Sequence, residues 1–114
     1  MTTLITGGTS SIGRVLIKTL SKKGEKQKVL VRKNSNREGL DLPGVTFVFG
    51  DVTDQQSVIE GMQGCDKVTH MAAVVGGIHA ESEWWSINRE GTRNVLQAAM
   101  ESDIRSFIQV SSLS

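Results

Sequence analysis

Thr6-Gly7-Gly8-Thr9-Ser10-Ser11-Ile12-Gly13, TGGTSSIG in one-letter code, decides how the rest of this 114-residue chain is read. Just before it, Thr3-Leu4-Ile5 is short and apolar and suits a buried strand. After it the apolar period changes. Ile12, Val15, Leu16 and Leu20 fall on one helical stripe, with Arg14, Lys18 and Lys22 turned outward, and Gly24 ends the run. The glycine-rich stretch is therefore a turn from strand to helix. Gly7 and Gly8 permit a backbone that a side chain would hinder, and Gly13 allows the helix to approach the strand. The N–H groups at such a helix start can point at a phosphate or pyrophosphate. By itself the turn also fits a tight connection with no ligand.

Working outward, the same alternation recurs. Lys28–Val31 (KVLV) reads as a second strand, followed by a polar loop with Asn34, Ser35 and Asn36. Pro43-Gly44 marks a turn. The continuous apolar run Val45–Phe49 (VTFVF) then suits a strand covered on both faces. Asp54 is placed to cap a helix carrying Val58, Ile59 and Met62, which Gly64 stops. Val68–Ala73 is a fourth strand, and a long helix runs from about Glu83 to Glu101 with Ile87, Val95, Leu96 and Ala99. Phe107–Val110 is a fifth strand. Strand alternating with helix implies an α/β fold: a Rossmann-like three-layer arrangement with a parallel sheet of about five strands, order 3-2-1-4-5. One domain over residues 1–114 is expected, with no linker, repeat or low-complexity tract.

Charge and composition narrow the function. Nine of the thirteen Lys and Arg residues lie at or before Arg37, where Glu25 is the one acid, although the formal net charge is only +1. This positive amino-terminal third suits a phosphate-bearing ligand or a solvated face. Nucleic acid is not expected, because the net charge is small and there is no aromatic stacking platform. The single cysteine, Cys65, excludes an internal disulfide and fits a reducing, cytoplasmic setting. No run approaches the length of a membrane span. His70 and His79 with scattered acids do not make a metal cluster, and His70, inside a strand, reads as structural. Trp84 and Trp85 follow the Val75–His79 segment and fit ordinary helix packing or a lid contact.

Arg32 and Lys33 stand just past the second strand, where a Rossmann site reads the adenosine ribose. An acid there would accept from the 2′-hydroxyl, whereas arginine suits a 2′-phosphate. The expected cofactor is accordingly NADP in preference to NAD. Asp51 is placed to accept from the adenine amino group, with Val52 against the ring.

These segments together resemble the amino-terminal part of an extended short-chain dehydrogenase/reductase of the epimerase, dehydratase or dihydroflavonol-reductase-like group. The matching stretches are TGGTSSIG, LVRKNS (Leu30–Ser35), GDVTD (Gly50–Asp54), GCDKVTHMAA (Gly64–Ala73), NREGTRNVLQAA (Asn88–Ala99) and FIQVSS (Phe107–Ser112), in the family's order. The resemblance implies cofactor contacts from Gly7, Gly8, Thr9, Ser10, Ser11, Ile12 and Gly13, and close approach of the nicotinamide half at Ala72 and Ala73. It implies that Ser112, or alternatively Ser111, polarises a substrate carbonyl or alcohol. The family places a middle glycine at the position of Ser10 or Ser11, and here both are serine, so a hydroxyl there is available to a phosphate oxygen. The family's acid/base tyrosine, with a lysine four residues later, has no counterpart, because the chain contains no tyrosine. The expectation is an NAD(P)-binding domain that lacks the substrate region and is not catalytic alone. The alternatives are part of a split or oligomeric oxidoreductase completed by another chain, and a cofactor-free structural or interaction module. An uncovered fifth strand would favour a homo-oligomer or a complementing chain.

Overall fold

The computed structural model describes the backbone of residues 2–74 and 81–113, and side-chain environments for residues 2–71 and 89–110. Along the chain come β1 (Thr2–Thr6), α1 (Ser11–Lys22), β2 (Lys26–Val31), β3 (Val45–Phe49), α2 (Gln55–Met62), β4 (Lys67–Val74), α3 (Glu81–Glu101) and β5 (Ser106–Leu113). All strand pairs are parallel, and the sheet order is β3-β2-β1-β4-β5, as the alternation implies. The Val75–His79 segment lies outside the described residues, as do the side chains of Trp84 and Trp85.

The pleat sends successive residues of the central strands to opposite faces. Leu4 and Leu30 enter one core with Val58 and Met62 of α2 and Val95 and Ala98 of α3. Ile5, Val29 and Val31 enter the other, with Ile17 of α1 and Leu40 from the loop after β2. Each such fully buried aliphatic side chain stabilises the fold by roughly 1.5–3 kcal/mol. Helix ends follow local chemistry. The Asp54 side chain accepts from the Gln56 N–H to start α2. The Glu25 N–H donates to the Leu20 carbonyl and the Gly24 N–H to that of Ser21, which closes α1.

Four expectations are corrected or refined. The inward stripe of α1 is Gly13 and Ile17, both buried, with Leu16 and Leu20 partly buried beside them, while Ile12 and Val15 remain 50% and 65% exposed. The helix is rotated so that Gly13 faces the turn, and that rotation carries Ile12 and Val15 outward. Val45–Phe49 is an edge strand whose two faces are only partly covered: Val45 and Phe47 pack against one core and Val48 against the other, while Phe49 is half exposed. Leu96 sits on the outer side of α3, where Ala98 takes the buried position. β5 also runs past Val110, so Ser111 and Ser112 lie within it, in register with Ala72 and Ala73.

Candidate functional site

The glycine turn lies at the carboxyl end of β1, in the middle of the sheet. Gly7 has φ +72°, and a Cβ there would collide with the Met71 carbonyl oxygen of β4. A Cβ on Gly13 would come within 2.6 Å of both the Gly7 carbonyl oxygen and the Gly8 Cα. Neither contact can relax by moving a side-chain tip, so only glycine fits at either place. The result is a turn folded flat onto the sheet, with the first turn of α1 directly above it.

Ser10 is the N-cap of α1. Its hydroxyl donates to the Gly7 carbonyl (2.9 Å) and accepts from the Gly13 N–H (3.1 Å). The serine that replaces the expected glycine thus closes the cap, and its hydroxyl is engaged within the turn. Helical geometry leaves the N–H groups of Ser11 and Ile12 without an intrahelical acceptor. No acidic side chain occupies the first turn of α1, so the positive end of the helix dipole is uncompensated by the chain. This arrangement fits a bound phosphate oxygen.

Arg32 and Lys33 follow β2 directly and are both exposed. Arg14 does not extend into solvent with Lys18 and Lys22 as the helical period suggested. It folds back, its Nε donating to the Thr9 carbonyl at 3.1 Å. Its Nη1 and Nη2 donate to the carbonyls of Glu38 (2.7 Å) and Asn36 (2.5 Å). Arg37 reaches the other way, 4.9 Å above the ring of Phe49 and 5.5 Å above that of Phe47.

After β3, Asp51 shapes its own loop. Its Oδ1 accepts from the Thr53 N–H (3.0 Å) and hydroxyl (2.9 Å), and its N–H donates to Ser57 Oγ at 3.0 Å. Sequence reasoning missed the support for this loop. Asn94 Nδ2 of α3 donates to the Val52 carbonyl at 2.9 Å, and Gly91 lies against Val52, where a Cβ would stand 2.7 Å from Cγ2. The two residues are 42 positions apart in the chain, and no local pattern joins them.

His70 of β4 is buried between two hydroxyls. Nδ1 is 2.5 Å from Thr6 Oγ1 and Nε2 is 2.9 Å from Thr92 Oγ1, which links β1, β4 and α3. Burial pushes its pKa below the ordinary histidine value, which keeps the ring neutral. Ala72 and Ala73 stand at the carboxyl end of β4, paired with Ser111 and Ser112 of β5. Among the described residues, no group of His, Cys, Asp and Glu is placed to hold a metal. No helix among them is long and apolar enough to cross a membrane.

A parallel sheet in 3-2-1-4-5 order, with a glycine turn and a capped helix at the end of its central strand, defines a Rossmann domain of the NAD(P)-binding type. The chain belongs to the NAD dependent epimerase/dehydratase family, whose profile matches residues 3–114. It is 33% identical over 113 residues to sterol demethylase protein B of Methylococcus capsulatus, covering 98% of this chain and 34% of that protein. The crystal structure of gox2253 superposes with a TM-score of 0.88 at 28% identity, over 97% of this chain and 34% of that one. A short-chain dehydrogenase/reductase superfamily protein from Agrobacterium tumefaciens, crystallised with bound NAD, gives a TM-score of 0.78 at 26% identity, over 98% and 33%. The chain thus spans about a third of the length of the relatives it matches.

Proposed function

We propose that this chain is the dinucleotide-binding domain of an epimerase-, dehydratase- or reductase-like protein, that it takes NADP in preference to NAD, and that it is not catalytic alone. The observation that carries the binding reading is the cradle made by Gly7, Gly13 and the Ser10-capped start of α1. There the pyrophosphate would meet the N–H groups of Ser11 and Ile12. Thr9 and Gly8 would supply the backbone on the near side. Arg32 and Lys33 would pair with the 2′-phosphate of the adenosine, since the positions directly after β2 hold no acid to accept from a 2′-hydroxyl. The second carboxylate oxygen of Asp51 would accept from the adenine amino group, with Val52 against the ring. Ala72 and Ala73 would admit the nicotinamide half, and Ser112, or Ser111, would face the substrate.

A nicotinamide dinucleotide supplies hydride transfer when bound. In this chain's own residues, Ser112, or alternatively Ser111, would supply a hydroxyl to orient a carbonyl or alcohol. No tyrosine is present to carry the proton. His70 does not replace it, because both ring nitrogens are held by threonines.

A second reading, an enzyme completed by another chain in the cytoplasm, is supported by the apolar side chains left open. Ile108 on the edge strand β5 is 53% exposed, and Ile12 and Val15 are comparably open on α1. Sedimentation at rising protein concentration tests it; a monomer throughout counts against self-association. The cofactor reading is tested by titrating Arg32→Ala with NADPH and NADH. A selective loss of NADPH affinity, roughly tenfold or more, is expected from removing a charge-assisted pair. Equal affinities before and after the substitution would remove Arg32 from the site.

A further inference from the structure

The loop between β2 and β3, residues 32–44, has no strand or helix of its own, yet it is fastened at several points. The Ser35 N–H donates to the Arg32 carbonyl at 3.0 Å, closing a turn that displays Arg32, Lys33 and Asn34. The Glu38 N–H donates to Asn36 Oδ1 at 3.0 Å, and Leu40 is fully buried in the core beneath. Arg37 lies over the rings of Phe47 and Phe49. What joins this loop to the glycine turn is Arg14. Its guanidinium uses three separate nitrogens on three carbonyls, one from the glycine turn and two from the loop.

We propose that Arg14 is a positioning residue for nucleotide selection: by bridging Thr9 to Asn36 and Glu38, it holds the loop so that Arg32 and Lys33 stand ready for the 2′-phosphate. The proposal rests on the NADP reading above. Four basic side chains near the turn divide into two pairs. Arg14 and Arg37 are committed to holding the loop, and Arg32 and Lys33 are displayed by it. A loop already ordered before binding escapes the entropy cost of being ordered by the ligand, and that saving appears in the affinity. It appears only for a ligand that uses the loop, so NADPH gains and NADH does not. The planar fork of arginine is what spans three acceptors; a lysine ammonium offers the charge without the span.

The test compares wild type, Arg14→Lys and Arg14→Ala by calorimetric titration with NADPH and NADH, with amide hydrogen exchange of the ligand-free proteins. Both variants are expected to bind NADPH about tenfold more weakly while NADH changes by less than about threefold, so that the preference itself collapses. Exchange at the hydrogen-bonded loop amides of Ser35, Glu38 and Leu40 is expected to be slow in the free wild type and faster in both variants. An NADPH preference kept intact in both variants overturns the proposal and leaves the cofactor reading standing. Equal losses for both nucleotides overturn it too, since Arg14 would then serve the pyrophosphate turn. Full recovery with lysine assigns the effect to charge and likewise overturns it. Should either variant fail to fold, wild-type exchange decides: loop amides that exchange fast until NADPH is added contradict a preformed loop. A wild type that takes neither nucleotide, or takes NADH more tightly, overturns the reading beneath the proposal.

Discussion

The Ser10 hydroxyl accepts from the Gly13 N–H at 3.1 Å while donating to the Gly7 carbonyl, so a side chain absent from the family's glycine pattern holds the turn together. A glycine at this place would leave the backbone free to approach a pyrophosphate. The serine exchanges that freedom for an internal cap. Ser10→Ala removes both bonds and should cost about 1 kcal/mol, whereas Ser10→Gly should cost only a few tenths. Urea unfolding midpoints of the two variants check this ordering.

Gly7 and Gly13 are held to glycine by backbone, with no flexible side chain to give way. Gly13→Ala should destabilise by about 3 kcal/mol, since the added methyl meets both the Gly7 carbonyl and the Gly8 Cα. Gly7→Ala faces the Met71 carbonyl and a positive φ together, and should be at least as costly. Chemical denaturation gives both values. A loss below about 0.5 kcal/mol in either would mean that the turn is more open than described.

Much of this was legible in the sequence, and what escaped it has identifiable causes. The strand–helix alternation, the Asp54 cap and the Gly24 stop are written in neighbouring residues, so the 3-2-1-4-5 sheet could be read directly. The exposure of Ile12 and Val15 could not, because an apolar stripe does not say which side of the helix a glycine contact will pull inward. VTFVF looks buried on both faces because its apolar residues stand at successive positions. In the structure Val45, Phe47 and Val48 pack only at the rim of the two cores, and Phe47 and Phe49 are overlain by the guanidinium of Arg37, from a loop whose path no periodicity encodes. The role of Arg14 was hidden for the same reason: all three of its partners are backbone carbonyls, which carry no sequence signal.

The bond from Asn94 to the Val52 carbonyl makes a testable link between α3 and the loop assigned to the adenine. Asn94→Ala leaves that partly buried carbonyl without its donor and should cost about 1 kcal/mol. Hydrogen exchange should quicken at residues 52–54, and affinity for 5′-AMP should fall. A variant with wild-type exchange there would show that α3 does not hold the loop.

His70 carries a pH dependence of definite sign. Its folded-state pKa lies below the ordinary value of about 6.5, because burial opposes the charged ring. The unfolded chain therefore binds the proton first as pH falls, and stability is lost from about pH 6.5 downward until the buried ring itself titrates. Above that window the contribution is fully present. Urea midpoints should drop between pH 7 and pH 5 in the wild type, and by less in His70→Gln. Identical pH profiles for the two proteins would remove His70 as the cause.

The central claim is that the Ser10-capped turn and the basic loop after β2 bind a phosphorylated dinucleotide. Calorimetric titration of the unmodified chain with NADPH and with NADH, side by side at one ionic strength, tests it most directly. The account predicts saturable binding of both, with NADPH tighter by about tenfold or more. Tighter binding of NADH would contradict the role given to Arg32 and Lys33, and no binding of either at millimolar concentration would contradict the cofactor site itself.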